Sequence, residues 1–311
     1  MLKKELKEAH ERIKPFIHHT PVLTSKLINK ITGANLFFKC ENFQKMGAFK
    51  MRGATNAIMQ LSDLQKQRGV VTHSSGNFAQ ALSLAAKSLG VKAYIVMPSS
   101  APQVKKEAVK EYGGIIIECE PNLTARENTA KGIEEKEGAT FLHPSNDMNV
   151  ILGQGTACKE LLNDYPDLEF VLTPVGGGGL IAGTALAVSF FGSNCKTIGA
   201  EPFEVDDAYR SLKSGKIETN RSTNTIADGL KTQLGDINFP IIQKHVDSII
   251  RVTEEEIIYA MRLIWERMKI VCEPSCAVPL AAVIKESQFF KNKKIGIIIS
   301  GGNVDLGNLP F

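Results

Sequence analysis

The chain lacks most of the features that would settle its function at a glance. None of its six cysteines, at positions 40, 119, 158, 195, 272 and 276, belongs to a Cys-x-x-Cys pair. Neither a thiolate metal site nor a disulfide framework is written in that spacing, and reduced thiols in a cytoplasmic protein are the expectation. His10, His18, His19, His143 and His245 show no metal-ligand spacing and no HExxH pattern, so they read as surface or packing residues. There is no GxSxG nucleophile elbow and no P-loop. Long runs of one charge are absent as well: 37 basic and 33 acidic residues leave a net +4, too even a balance for a nucleic-acid or membrane-surface protein. The longest apolar run, LIAGTALAVSFF, is too short to cross a bilayer. The opening MLKKELKEAHERIKPF is amphipathic and has no apolar core of a signal peptide. With 43% hydrophobic residues over 311 positions, the chain can bury a large core in one big domain or two lobes.

Short β-branched runs alternate with helical patterns along nearly the whole length. Strands are expected at 35–41, 69–75, 92–98, 114–119, 169–175, 196–201, 248–253 and 294–300. The segments between them carry apolar residues at three- and four-residue spacing, and Thr253 with Glu256 makes a capping box for the helix of Trp265. Continuous apolar strands separated by helices predict a two-lobed α/β protein, with open, mostly parallel twisted sheets covered by helices on both faces. Residues 69–146 hold their own alternation and read as a small domain inserted into a larger one made of 1–68 and 147–311.

Ligands of open parallel sheets bind beyond the carboxyl ends of the strands, and three such ends are chemically loaded. Gly176-Gly177-Gly178-Gly179 lies between a strand and a helix. There the backbone can aim its N–H groups, and the helix dipole, at a phosphate. Ser300-Gly301-Gly302-Asn303 puts a hydroxyl and two glycines after the last strand, where a flat ligand could approach. His73-Ser74-Ser75-Gly76-Asn77 offers two hydroxyls, an amide and helix-start N–H groups to an oxyanion. The glycine loop also fits a dinucleotide fingerprint, Gly177-x-Gly179-x-x-Ala182, with Glu201 placed to hold a ribose, which keeps an NAD-dependent dehydrogenase in contention. Lys50, in Gly47-Ala48-Phe49-Lys50-Met51-Arg52-Gly53-Ala54, separates the two readings. A reactive amine beside a phosphate cradle is what pyridoxal phosphate requires, whereas a nicotinamide enzyme has no use for one.

GAFKMRGA, HSSGN, PVGGGG, TIADG and SGGN, in this order, resemble the fold type II (tryptophan synthase β-like) pyridoxal-phosphate enzymes, in the branch of serine racemase and the short serine/threonine dehydratases. The likeness runs essentially end to end. It implies that Lys50 bonds the cofactor aldehyde, with Phe49 packed on the ring and Asn77 at its 3-oxygen. Gly176, Gly177, Gly178, Gly179 and the Leu180 N–H would hold the phosphate, with Gly229 near the cofactor and Ser300 at the pyridine nitrogen. A neutral hydroxyl there does not protonate the ring, so the ring is a weaker electron sink and β-elimination suits it. Lys50 would remove the α-proton, and Ser75, on the opposite face, could return one and racemise the amino acid; Ser74, Ser75 and Asn77 would contact the substrate. The resemblance also implies a homodimer. It implies a divalent cation (Mg, Mn or Ca) on Glu201, the Val205 carbonyl and Asp207, oxygen donors suited to hard ions.

Two positions depart from the family pattern. Phe78 stands where a histidine is usual, and Ser145 stands where the racemases have asparagine. Aspartate-racemising members of that family carry serines in this loop, and Arg126 matches a family arginine near the substrate that could meet a second carboxylate. Ser145 therefore opens an alternative to serine and threonine: an aspartate racemase or a 3-hydroxyaspartate dehydratase.

Overall fold

The computed structural model describes residues 1–311. Ten strands form two sheets: β1 (Val22–Leu23), β2 (Asn35–Cys40), β3 (Val70–His73), β4 (Ala93–Pro98), β5 (Ile115–Cys119), β6 (Thr140–Phe141), β7 (Phe170–Pro174), β8 (Lys196–Pro202), β9 (Val246–Val252) and β10 (Lys294–Ile299). The larger sheet runs β1-β2-β10-β7-β8-β9 and the smaller β5-β4-β3-β6. Every pairing is parallel except that of β1 with β2. All eight expected strands are present. The two that sequence reading missed, β1 and β6, are two residues long, too short for any period to register.

The burial pattern explains the parallel arrangement. β4 and β7 are buried at every residue, and β10 at every residue but its first, as strands covered on both faces must be. Helices Met148–Asp164 and Gly179–Phe191 pack one face of the larger sheet in a cluster that includes Ile151, Leu161, Ile181 and Ile298. Helix Pro274–Lys285 contributes to the cluster on the other face, with Leu36, Phe38, Leu172 and Ile297. The smaller sheet packs helix Asn77–Ser88 in a cluster around Val70, Phe78, Leu82 and Ile95, which Met51, Ala54 and Ile58 of helix Lys50–Met59 share. The capping box is present, with Thr253 and Glu256 closing the start of helix Glu254–Leu263.

The chain steps outward from β7 through β8 to β9, then returns on the other side of β7 as β10. Such a reversal opens a crevice at the carboxyl ends of the two adjacent strands. The glycine loop follows β7 and Ser300 follows β10, so both flank it.

Candidate active site

Helix Lys50–Met59 follows the bend that carries Lys50, and backbone pairing fixes that bend. Ala48 bridges Gly301, the Phe49 N–H donates to the Ser300 carbonyl at 3.0 Å, and the Gly302 N–H donates to the Gly47 carbonyl at 2.9 Å. Two motifs some 250 positions apart are therefore one piece of structure. Met46, at φ 55°, and Gly47, at φ 76°, turn the chain into it. An added Cβ on Gly47 would stand 2.8 Å from Asn303 Oδ1, so glycine is required there.

The Lys50 ammonium donates to the Pro144 carbonyl at 2.7 Å and lies 5.1 and 5.6 Å from the ring centres of Phe49 and Phe78. Burial in these apolar surroundings lowers its pKa to about 8, against the opposing pull of the Glu273 carboxylate. An amine in that range loses its proton far more readily than an exposed lysine. Phe78, the departure from the family's histidine, therefore forms part of the lysine's apolar wall.

Two residues along the same helix, Arg52 anchors the lysine's support. Its guanidinium donates to Glu41 at 2.7 and 2.8 Å, to Glu160 at 2.8 Å twice, to Thr156 Oγ1 at 3.1 Å and to the His18 carbonyl at 3.4 Å. Lys39 completes the group through Glu160 at 2.7 Å and the Thr20 carbonyl at 2.8 Å. Two cations and two anions, all essentially without solvent contact, balance one another. Burial alone would raise the Glu160 carboxyl, but Arg52 and Lys39 hold it down to about 2.

Across the crevice, the N–H groups from Gly176 to Leu180 donate to no acceptor in the chain. Five unpartnered donors at the start of helix Gly179–Phe191 are what an anion at a helix N-terminus would use. The glycines have a second cause that sequence reading did not supply. Added Cβ atoms would collide with the Gly229 carbonyl at 2.9 Å from Gly176, Ser145 Oγ at 2.4 Å from Gly177, Asn238 Oδ1 at 2.5 Å from Gly178 and Ser145 Cα at 2.9 Å from Gly179. Ser145 thus lies against the glycine loop, and the Thr232 hydroxyl, which no motif flagged, borders Gly177 from another side. Gly229 is placed by a hydrogen bond from its N–H to Ser275 Oγ at 3.1 Å.

The third strand end contributes Asn77. Its amide donates to both oxygens of Glu273, at 3.0 and 3.1 Å, and its Oδ1 accepts from Asn303 Nδ2 at 2.8 Å. Of the two serines, Ser74 Oγ accepts only a 3.4 Å bond from the Gly76 N–H, and the helix is capped by Gly76 without any side chain. The Ser75 hydroxyl serves no cap, which leaves it available for a ligand. Arg126 lies close enough to His73, at the end of β3, to add to the lowering of that imidazole's pKa by burial. Its Nε is buried without a partner.

Glu273 escaped sequence reading altogether. It is 4% exposed, and burial pushes its carboxyl up to about 7. It joins Asn77, Lys50 and Gly301 in one cluster. The signal was there in Cys272-Glu273-Pro274-Ser275, an acid just before a proline that opens a helix. That pattern also describes many ordinary helix starts.

Glu201 does not face the crevice. It is fully buried and accepts the N–H groups of Ala208 and Tyr209 at 3.2 and 2.9 Å, leaving no carboxylate for a ribose. Asp207, also fully buried, accepts the Leu234 N–H at 3.0 Å through Oδ2, while Oδ1 has no partner. No three acidic, cysteine or histidine side chains gather into a metal cluster, and no helix is long and apolar enough to cross a membrane.

The sequence profile of the pyridoxal-phosphate dependent enzymes matches residues 13–301. The chain belongs to this family. Pyridoxal phosphate is accordingly its cofactor, and the dinucleotide reading of the glycine loop falls away. β-Hydroxyaspartate dehydratase of Paracoccus denitrificans is 50% identical over 303 residues, which cover 97% of this chain and 96% of the relative. Serine racemase of Dictyostelium discoideum is 51% identical over 312 residues, 98% of this chain and 96% of its own. A crystal structure of serine racemase from that organism matches with a TM-score of 0.94, over 98% of this chain and 99% of that one. The crystal structure of a T.th. threonine deaminase, 40% identical, matches with a TM-score of 0.92 over 97% and 98% of the two chains.

Proposed function

We propose that this chain removes water from serine or threonine, giving a 2-oxo acid and ammonia, and racemises serine at the same site. The observation that carries the proposal is the pairing of a half-buried amine, Lys50, with the five unpartnered N–H groups of Gly176–Leu180 across one crevice. The likeness to serine racemase and to threonine deaminase supports it. Bound pyridoxal phosphate supplies an aldehyde for the substrate amine and a ring that draws electrons from the Cα–H bond.

In this reading the N–H groups of Gly176, Gly177, Gly178, Gly179 and Leu180 hold the phosphate. Phe49 packs the ring, Gly229 allows close approach, Asn77 meets the ring's oxygen and Ser300 its nitrogen. Lys50 Nζ takes the α-proton, a task for which burial has prepared it by lowering its proton affinity. Ser75 Oγ returns a proton on the opposite face when the product is the mirror-image amino acid. Ser74, Ser75 and Asn77 receive the substrate carboxylate at the start of helix Asn77–Ser88.

A specific observation favours a second substrate class. The unpartnered Nε of Arg126, together with the likeness to β-hydroxyaspartate dehydratase, fits a substrate with a second carboxylate: 3-hydroxyaspartate for elimination, or aspartate for racemisation. The finer assignment of a divalent cation to Glu201, the Val205 carbonyl and Asp207 also fits. Glu201 and Asp207 are both fully buried, burial raises both carboxyls, and one oxygen of Asp207 is orphaned. A hard cation would supply the missing charge and tie the segment around Leu234 to helix Asp207–Ser214.

The test is to incubate the holoenzyme with L-serine, D-serine, L-threonine, L-aspartate and both threo and erythro 3-hydroxyaspartate, reading keto-acid release and enantiomeric purity together. Keto acid from serine or threonine supports the first reading. Turnover confined to the dicarboxylates replaces it with the second, and inertness toward all of them refutes both.

A further inference from the structure

We propose that Asn238 is the positioning residue that aims the glycine loop at the cofactor's phosphate, with Asn146 holding Asn238 in place. The inference rests on the reading above, in which Gly176–Leu180 receive that phosphate.

Asn238 is the residue before helix Phe239–His245, where an asparagine ordinarily caps its own helix. Its side chain makes no such cap. It turns inward instead, with no solvent contact, and Nδ2 donates to the Gly177 carbonyl at 2.9 Å and to the Ser145 carbonyl at 3.2 Å. Oδ1 accepts the Gly235 N–H at 3.1 Å. The buried amide group has thus given up capping its own helix to donate to two remote carbonyls, with only Gly235 as a nearby partner, and such a break with a local rule marks functional constraint.

The consequence for the loop follows from peptide geometry. In a planar trans peptide the C=O and the N–H point in opposite directions. Pinning the Gly177 carbonyl toward Asn238 therefore turns the N–H of Gly178 the other way, into the group of donors that has no acceptor in the chain. Gly178, at φ 83°, has the left-handed conformation that glycine adopts freely, and it packs directly on Asn238, where an added Cβ would stand 2.5 Å from Oδ1. Asn146 then fixes Asn238 itself. Its Oδ1 accepts the N–H groups of Ile237 and Asn238 at 2.9 and 3.3 Å, and its Nδ2 donates to Asp236 at 2.8 Å. His143 Nδ1 closes the turn by accepting from the Ser145 and Asn146 N–H groups at 3.1 and 2.8 Å. Three segments distant in sequence, 143–146, 176–179 and 235–238, are clasped by these side chains.

The experiment compares two ligands that differ only in the phosphate. The apoenzyme, Asn238→Leu and Asn146→Ala are each titrated with pyridoxal 5′-phosphate and with pyridoxal, following imine absorbance, alongside thermal melts. Asn238→Leu keeps the branched shape and adds no charge, and it is expected to weaken the phosphorylated ligand about tenfold while moving pyridoxal by less than about twofold. Asn146→Ala, safer for folding, is expected to do the same by about threefold. Equal weakening of both ligands, or an unchanged preference for the phosphorylated one in both variants, overturns the role of Asn238. A wild-type protein that itself shows no preference would refute the phosphate assignment of the glycine loop, which is a separate failure.

Discussion

Replacing Glu273 with glutamine should remove a specific pH dependence from the stability of the apoenzyme. The carboxyl is raised from 4.5 to about 7 because burial strips it of water, and the two bonds from Asn77 only partly offset that cost. The folded state therefore keeps a proton on Glu273 at pH values where the unfolded chain has released it. Its contribution to stability is full below the unfolded pKa of 4.5 and is lost as pH rises through about 7. At about 1.4 kcal/mol per pK unit, the wild type gives up roughly 2–3 kcal/mol through this one group between about pH 5 and about pH 8. His10 and His143, both lowered to about 4 chiefly by burial, push in the opposite direction over part of the same range. The difference between the two proteins removes these histidine contributions and reports Glu273 together with its pull on Lys50, whose titration at about 8 lies at the top of the window. Glutamine keeps the volume and still accepts from Asn77 but does not titrate. Urea unfolding of both apoproteins at a series of pH values should show the variant gaining on the wild type by that amount as pH rises. Parallel curves would mean that Glu273 is ionised throughout the window, and the electrostatic description of the cluster around Lys50 would be wrong.

Three other outcomes follow from the same geometry. Glu160→Gln should destabilise the protein by about 3 kcal/mol in urea, because Arg52 and Lys39 would keep their charges in a dry site with one counter-charge gone. Added magnesium, manganese or calcium should raise the melting temperature of the wild type but not of Asp207→Asn, with about 2.7 kcal/mol of stabilisation at a hundredfold excess over the dissociation constant. Arg126→Ala should lower kcat/KM for 3-hydroxyaspartate by roughly 10–100-fold and for serine by less than about threefold, as expected for losing a charge-assisted hydrogen bond to a second carboxylate alone.

The sheet was readable because its information is local. A buried parallel strand such as Lys294–Ile299 must be apolar on both faces, so its run of isoleucines announces it. The glycine loop, Lys50 and Asn77 were readable for a related reason: each sits at a strand end or a helix start, where composition changes abruptly. Their purpose was less legible than their presence. Four consecutive glycines suggested an anion, and their N–H groups are unpartnered in the fold, yet each glycine is also required by a neighbour from another segment pressing on its Cα. No pattern within the loop predicts Ser145 or Asn238 as that neighbour.

Polar groups whose partners are remote were hidden for the same physical reason. Glu41, Arg52 and Glu160 look like three of the chain's many ordinary charges, and Lys39 like a polar residue in a half-buried strand. Only the folded chain brings them together, at no net charge and almost without solvent contact. Such a group is poor evidence of stability in itself, since an apolar core of equal volume often does as well. What it provides is directionality. An apolar cluster tolerates small rotations of the helix that follows Lys50, whereas the forked contacts of Arg52 to two carboxylates hold only in one register. In the proposed mechanism Lys50 presents one nitrogen to a reacting carbon, and for that task a fixed helix matters more than a slightly more stable one, which gives the buried ions a reason to sit two residues from it.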